Sequence, residues 1–419
     1  MTPLRVAHVL RKYDPAAWGG TETHVAALAS RQAADGASVE VHAPLGPTRH
    51  DVALPKAVVL RRFRAFCPFI GRADRRASLV SNAGNIATID EPVRLACDRS
   101  LDLAHVHTQG RVGGAVRAAM KLTGRPYVVS VHGPLLAHPE LLRLDTEQRL
   151  AGLLDLGQPL GWLVGSRRVL DDAARVLCFN EEELRALQTR VGERALLLDQ
   201  GVEVARFATA SEERARVRWP ELAGGDPIVL LVGRLSDQKN QLAAVRAISA
   251  VANARLALAG AETDRGYGAK IVEEARALGV ADRVHVLGNV DPLRDLPDLL
   301  ALATLVVMPS KHEAFGLIAL EAWASGKPAL LAAHSGLARL GRAFGDVSWM
   351  VDSLDPRAWA AAIVAALADP DRRRRAAHRG QALVRSRFDW GIVSSSISAT
   401  YQTVLQEHRR TQPRRGGNP

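Results

Sequence analysis

The chain has 419 residues, too long for one ordinary core, so two domains of about 200 residues each are expected. Hydrophobic residues make up 47% and charged ones 24%, which excludes a disordered or fibrous chain, and no apolar run of about 18 residues is present to span a membrane. The 55 Lys and Arg against 44 Asp and Glu leave +11, a balance suited to phosphorylated ligands, acidic membrane surfaces or nucleic acid.

MTPLRVAHVL enters a strand almost at once, so no signal peptide is expected. Seven short apolar runs follow as strands: 5–10, 38–43, 57–63, 103–107, 126–132, 175–179 and 195–199. Between the first two, TETHVAALASRQAADG places apolar Val25, Leu28 and Ala29 at helical spacing and stops at Gly36. RRFRAFCPFIGRADRR, from Arg61 to Arg76, interleaves arginine with Phe63, Phe66 and Phe69. It reads either as a basic patch for an anionic acceptor or membrane surface, or as a strand followed by a solvated loop. Arg216–Asp226, with Trp219-Pro220 and Gly224-Gly225, has the look of a seam. The pattern then restarts with strands at 227–233, 254–260, 283–288, 304–309 and 327–332. Apolar strands alternating with helices imply an α/β chain of two doubly wound parallel sheets. Asp371–Arg375 reads as a solvated helix face, and the tail HRRTQPRRGGNP as a disordered basic end.

The chemistry gathers in the βα loops, where open α/β sheets bind ligands. Gly233-Arg234-Leu235 and Lys239 put a forked donor and a point charge in one loop, a pairing suited to a diphosphate. Gly19-Gly20 opens the first helix, where a bare backbone and the helix N-terminus favour an anion. His132 ends a strand in SVHGP. Within PSKHEAFGLIALEAWASGKP, Glu313 and Glu321 flank seven uncharged residues. Each glutamate also has a plain reading, one beside a helix start, the other on a wet helix face. No G-x-G-x-x-G and no G-x-x-x-x-G-K-[ST] is present, so a dinucleotide oxidoreductase or P-loop enzyme is unsupported. Cys67, Cys97 and Cys178 have neither metal-ligand spacing nor an even count for disulfides, so a cytoplasmic location is expected. The only D-x-D, Asp369-Pro370-Asp371, precedes an arginine run and reads as an inter-helix loop; no metal is expected.

GGTE, SVHGP, GRLSDQKN and HEAFGLIALE followed by GKP, in this order, resemble the retaining GT-B glycosyltransferases of family 4 (glycosyl transferases group 1) over nearly the whole chain. The resemblance implies two Rossmann-like domains facing each other across a cleft: an acceptor-binding domain at 1–208 and a donor-binding domain at 209–388. A helix at 389–408, introduced by Phe388–Trp390, would cross back to the first domain, with a disordered tail at 409–419. It implies metal-independent transfer of a sugar, with retention, from a nucleotide-sugar to an acceptor that is a glycan, lipid-linked or a small molecule. UDP-sugar is the favoured donor and GDP-sugar the alternative. No cofactor and no nucleic-acid partner is implied, and a peripheral contact with anionic membrane remains open through the basic stretch.

Residue by residue, the resemblance implies that Glu313 accepts from donor-sugar hydroxyls and Glu321 from the ribose. Amides of Ala314, Phe315, Gly316 and Leu317 would face sugar and diphosphate, with Gly316 allowing close approach. Gly233, Arg234 and Lys239 would hold the diphosphate, Gly20 would lie near it, and His132 would line the sugar site. Glu22, with Arg61, Arg62 and Arg64, would serve the acceptor. The chain departs from the family pattern at three places: Asn240 stands for a glycine, Gln200 for an asparagine, and HSGLARL lacks the usual acid after the GKP strand. The rival readings are a GT-B sugar-nucleotide epimerase or phosphorylase, and a basic nucleic-acid binder, for which no zinc pattern or RNP-like strand is found.

Overall fold

The computed structural model describes residues 3–14, 19–45, 54–71, 86–133, 135–137, 154–313 and 315–411. Two compact units are present, the first of residues 1–199 with 393–419, the second of 200–392.

Unit 1 carries a seven-stranded sheet, every pairing parallel: β1 Arg5–Val9, β2 Ser38–Pro44, β3 Val58–Phe63, β4 Leu103–Val106, β5 Tyr127–Ser130, β6 Arg175–Cys178 and β7 Ala195–Leu197. The order is β7-β6-β5-β4-β1-β2-β3, so the connection reverses direction between β4 and β1. β1, β4 and β5 are nearly all buried, as expected of strands covered on both faces. Helix α1 (Gly20–Ala34) follows β1 and buries Val25, Leu28 and Ala29, the spacing read from sequence. Helix α2 (Gly110–Leu122) follows β4 and presses Val112, Val116 and Met120 into the core.

Unit 2 repeats the scheme with six parallel strands: β8 Ile228–Val232, β9 Arg255–Ala259, β10 Val284–Gly288, β11 Leu305–Met308, β12 Ala329–Ala332 and β13 Ser348–Val351. The order β10-β9-β8-β11-β12-β13 reverses between β8 and β11. All five strands expected here form; β13 was not expected, because SWMV mixes a serine and a tryptophan into a very short run. Helices α3 (Gln241–Ser249), α4 (Tyr267–Ala277), α5 (Leu317–Ala324) and α6 (Ser335–Ala343) follow β8, β9, β11 and β12.

The division between units falls at 199/200 rather than 208/209. Residues 200–208 belong to unit 2 because Val202 bridges to Asp389 and the helix Val204–Ala208 ties Arg206 to Glu321. The Arg216–Asp226 stretch is likewise no seam: Trp219 and Leu222 are buried in unit 2 and Arg214 is bonded to Asp298. The last helix, α7 (Trp390–Thr411), starts after Asp389 and belongs to unit 1 from Val393 onward. There Tyr401 is fully buried and Arg175 pairs with Glu407 at 2.7 Å. Asp369 caps the helix Pro370–Leu383 by accepting from the Arg372 amide at 2.8 Å, in keeping with an inter-helix position. Among the described residues no helix is long and apolar enough to cross a membrane.

Candidate functional site

In unit 2 the two loops that flank the strand reversal converge. Gly233 and Arg234 leave β8; Pro309–Glu313 leave β11. Lys239 forms an ion pair with Glu313, whose Oε1 also accepts from Ser310 Oγ at 2.9 Å. Gln238 binds the two loops together: its amide donates to the His312 carbonyl at 3.0 Å, its carbonyl accepts from Lys311 N at 2.8 Å, and its side-chain oxygen accepts from Arg234 at 3.3 Å. His334 Nε2 donates to the Ser310 carbonyl at 2.9 Å, and Gly336 N to the Glu313 carbonyl at 2.8 Å. Glu313 is therefore buried and fixed through both its side chain and its backbone.

Asn240 explains its own departure from the expected glycine. It sits at φ 58° in the left-handed region, which asparagine tolerates better than most side chains. Its side chain donates to the Pro309 carbonyl at 3.2 Å, a bond that glycine cannot make.

Gly316 caps α5 at φ 95°. A Cβ there would lie 2.3 Å from Leu337 Cδ2, so this glycine is required by the backbone conformation and by packing against α6. Phe315 is buried beneath Arg339 and against Phe388, Leu317 opens α5, and Ala314 lies outside the described residues.

Glu321 is the fifth residue of α5 and almost fully buried. Its Oε1 accepts from Arg206 Nη2 at 3.3 Å. Burial pushes the Glu321 carboxyl up to about 7, with Arg206 opposing.

Gly233 lies against the Lys239 side chain, and Gly260, at φ +151°, would carry a Cβ 2.1 Å from the Gly233 carbonyl. Gly260→Ala is expected to cost more than about 2 kcal/mol and to displace Arg234. Thermal unfolding with an unchanged midpoint would show that the loop has room to spare. Beside this loop, a cavity of about 810 Å³ is lined by Leu235, Gly260, Glu262, Val272, Gly288 and Asn289.

Unit 1 gathers its own polar cluster at the strand reversal. His8 on β1 stands in register with His105 on β4, His107 follows β4, and His132 follows β5. His8 Nδ1 lies 3.0 Å from His107 Nε2, and His107 Nδ1 lies 2.9 Å from His132 Nε2. His24 of α1 meets His132 edge-on, with ring centroids 4.9 Å apart. Burial pushes His8 down to about 4, and His105, His107 and His132 well below the usual histidine range. Of these residues only His132 was singled out from sequence. The H-x-H at 105–107 was visible there, but β4 and β1 become neighbours only in the fold.

The remaining candidates divide. Gly20 begins α1, and Glu22 is buried in its first turn, its carboxyl raised by burial against the pull of Lys12 and Arg11. Arg61 pairs with Glu40 at 3.1 Å, and Arg62 donates to the Pro44 and Tyr13 carbonyls at 3.0 Å each. Phe63 and Phe69 are buried, leaving Phe66 as the exposed aromatic of the three. Arg64 donates its backbone amide to Asp90 at 3.0 Å. The basic stretch is thus largely committed to internal contacts, and its 72–76 portion lies outside the described residues. Sequence reasoning also missed Glu183, which accepts from the amides of Leu135, Leu136 and Ala137 and so holds the loop after His132.

Comparison with known proteins agrees with the fold. The family described as glycosyl transferases group 1 matches residues 213–383, and glycosyltransferase family 4 matches residues 18–218. A D-inositol 3-phosphate glycosyltransferase of Thermobispora bispora is 30% identical over 94% of this chain and 92% of its own. One of Salinispora tropica is 32% identical over 76% of this chain and 67% of its own. Among solved structures, Anabaena Alr3699/HepE in complex with UDP superposes with a TM-score of 0.72 at 18% identity, covering 96% of this chain and 100% of that one.

Proposed function

The chain belongs to the family 4 glycosyltransferases of GT-B fold, and from that premise we propose that it transfers a sugar from a UDP-sugar, with retention and without a metal. GDP-sugar is the alternative donor. The observation that carries the reading is the Lys239–Glu313–Ser310 group, built by two βα loops at the reversal of the second sheet, the place where doubly wound sheets bind nucleotides. In this reading Arg234 and Lys239 neutralise the diphosphate as it departs, Glu313 accepts from sugar hydroxyls, and Glu321 accepts from the ribose. The cavity beside Leu235 has the size of a small-molecule pocket and is the place we assign to the base. The departing phosphate takes the acceptor's proton, so no protein base is required.

For the acceptor we propose a small phosphorylated polyol. The names of the relatives support this choice, as do Arg11 and Lys12, which follow β1 close to Glu22. Glycans and lipid-linked sugars are the alternatives, and the location we propose is cytoplasmic.

Thermal shift against UDP, GDP, ADP and CMP tests the donor assignment. A ligand bound only by the native state adds about 2.7 kcal/mol at a hundredfold its Kd. UDP should stabilise the wild type most, and Glu321→Gln should lose most of that shift. Without ligand, the same variant should be the more stable protein above neutral pH. A carboxyl raised from 4.5 to about 7 in the folded state contributes fully below 4.5 and is lost as pH rises through 7. Its neutral isostere therefore gains on the order of 1–3 kcal/mol at alkaline pH. Equal UDP shifts in both proteins would remove Glu321 from the nucleotide site.

A further inference from the structure

The histidines of unit 1 form a string that ends in one amide. Gln32, on α1 and 2% exposed, places its side-chain oxygen 2.8 Å from His8 Nε2. Its nitrogen side lies 3.5 Å from Ser398 Oγ, and the Gln32 side chain also hydrogen-bonds Tyr401. An amide oxygen only accepts, so His8 Nε2 must carry the hydrogen.

From there each assignment forces the next, because a neutral imidazole has one hydrogen to give. These rings are neutral: burial moves all of them below the usual histidine range. His8 Nδ1 therefore accepts, and His107 Nε2, 3.0 Å away, donates. His107 Nδ1 then accepts, and His132 Nε2, 2.9 Å away, donates. The second string imposes no such order, since His105 bonds to two hydroxyls, Tyr401 at 2.6 Å and Ser130 at 2.8 Å, and a hydroxyl both gives and takes.

We propose that Gln32 is a positioning residue which, through His8 and His107, holds His132 as its Nε2–H tautomer and leaves His132 Nδ1 a pure acceptor for a substrate hydroxyl. The acceptor role rests on the glycosyltransferase reading; the tautomer does not. With His105 and His24 these rings form two triads, His8–His105–His107 and His24–His107–His132, in each of which one nitrogen per ring lies within 4.8 Å of the others. Contacts of 3.0 and 2.9 Å between ring nitrogens are hydrogen-bond distances, so the hydrogen, not an ion, occupies the gap between each bonded pair.

The test uses the full chain labelled with ¹⁵N-histidine. Long-range ¹H–¹⁵N spectra report which ring nitrogen is protonated, and the His132 signals are assigned by their loss in His132→Gln. The wild type should show His132 as Nε2–H. Gln32→Met and, independently, His8→Met break the relay at different links without touching His132. Each should convert its signal to a mixture of tautomers and lower kcat by about tenfold while donor KM changes little. A wild-type His132 protonated on Nδ1 overturns the proposal, as does stoichiometric zinc by elemental analysis of the purified protein. The tautomer of wild-type His132 is decisive even if both variants fail to fold. A correct tautomer with transfer unaffected by Gln32→Met overturns the acceptor role. Failure of every nucleotide to bind would instead count against the donor assignment, and it leaves the tautomer measurement unmoved.

Discussion

Glu313→Gln should reduce kcat by about a hundredfold to a thousandfold while leaving UDP affinity unchanged or tighter. Two consequences of one substitution separate here. The carboxylate accepts charge-assisted hydrogen bonds, each contributing on the order of 1.5–3 kcal/mol, and the amide that replaces it has one acceptor oxygen and an unwanted donor. Losing two such contacts to the sugar at the transition state gives the expected fall in rate. Nucleotide binding follows the partner instead. In the unliganded protein Lys239 is held by Glu313; freed from that ion pair, it has more charge to offer a diphosphate. Removing one member of a nearly buried pair also leaves the other charge uncompensated, which an incoming anion relieves. Steady-state kinetics with the donor and calorimetry with UDP together decide the matter. A kcat within about threefold of wild type removes Glu313 from the sugar site, and a large loss of UDP affinity moves it to the diphosphate.

Unit 1 should lose stability on mild acidification, well before its carboxylates are titrated. His8 falls from 6.5 in the unfolded chain to about 4 in the fold, so between these values the unfolded state binds more protons and stability falls as pH falls. At about pH 5 His8 alone accounts for on the order of 2 kcal/mol. His105, His107 and His132 are shifted in the same direction by burial and act in the same window. Since the rings neighbour one another, their protonations are coupled and less than additive. Two groups of unit 1 oppose them. Burial raises the Glu22 carboxyl; burial lowers His42, but its hydrogen bonds to Glu40 and Glu91 prevail and leave it raised, so both favour the folded state as pH falls. The four lowered rings are expected to outweigh the two. Hydrogen exchange at about pH 7.5 and pH 5, read at β1, β4 and α1, should show protection lost at the lower pH in unit 1. Equal protection at the two values would mean that the rings are protonated inside the fold.

The sequence determined the architecture because continuous Val, Leu and Ile runs between helical patterns allow little except parallel sheets covered on both faces. Every major strand so read is present; β13 escaped because four residues with a serine and a tryptophan carry no such signal. The family, too, was legible, since its motifs are contiguous stretches such as HEAFGLIALE. Within those stretches the residue types announced anion and hydroxyl binding, and Lys239 and Glu313 do come together.

What only the tertiary structure decided is which residues from distant stretches share a bond. Gln238, Ser310 and His334 brace Glu313 across a reversal in strand order. Arg206 reaches Glu321 across 115 positions and so draws residues 200–208 into the second unit. Arg61 and Arg62, basic and suggestive in the linear text, turn to Glu40, Pro44 and Tyr13. Gln32, His8, His107 and His132 form a line because β1 and β4, far apart in the chain, lie side by side. Local periodicity follows from backbone geometry and is written residue by residue. A hydrogen-bond partner depends on strand order and register, which no single stretch encodes.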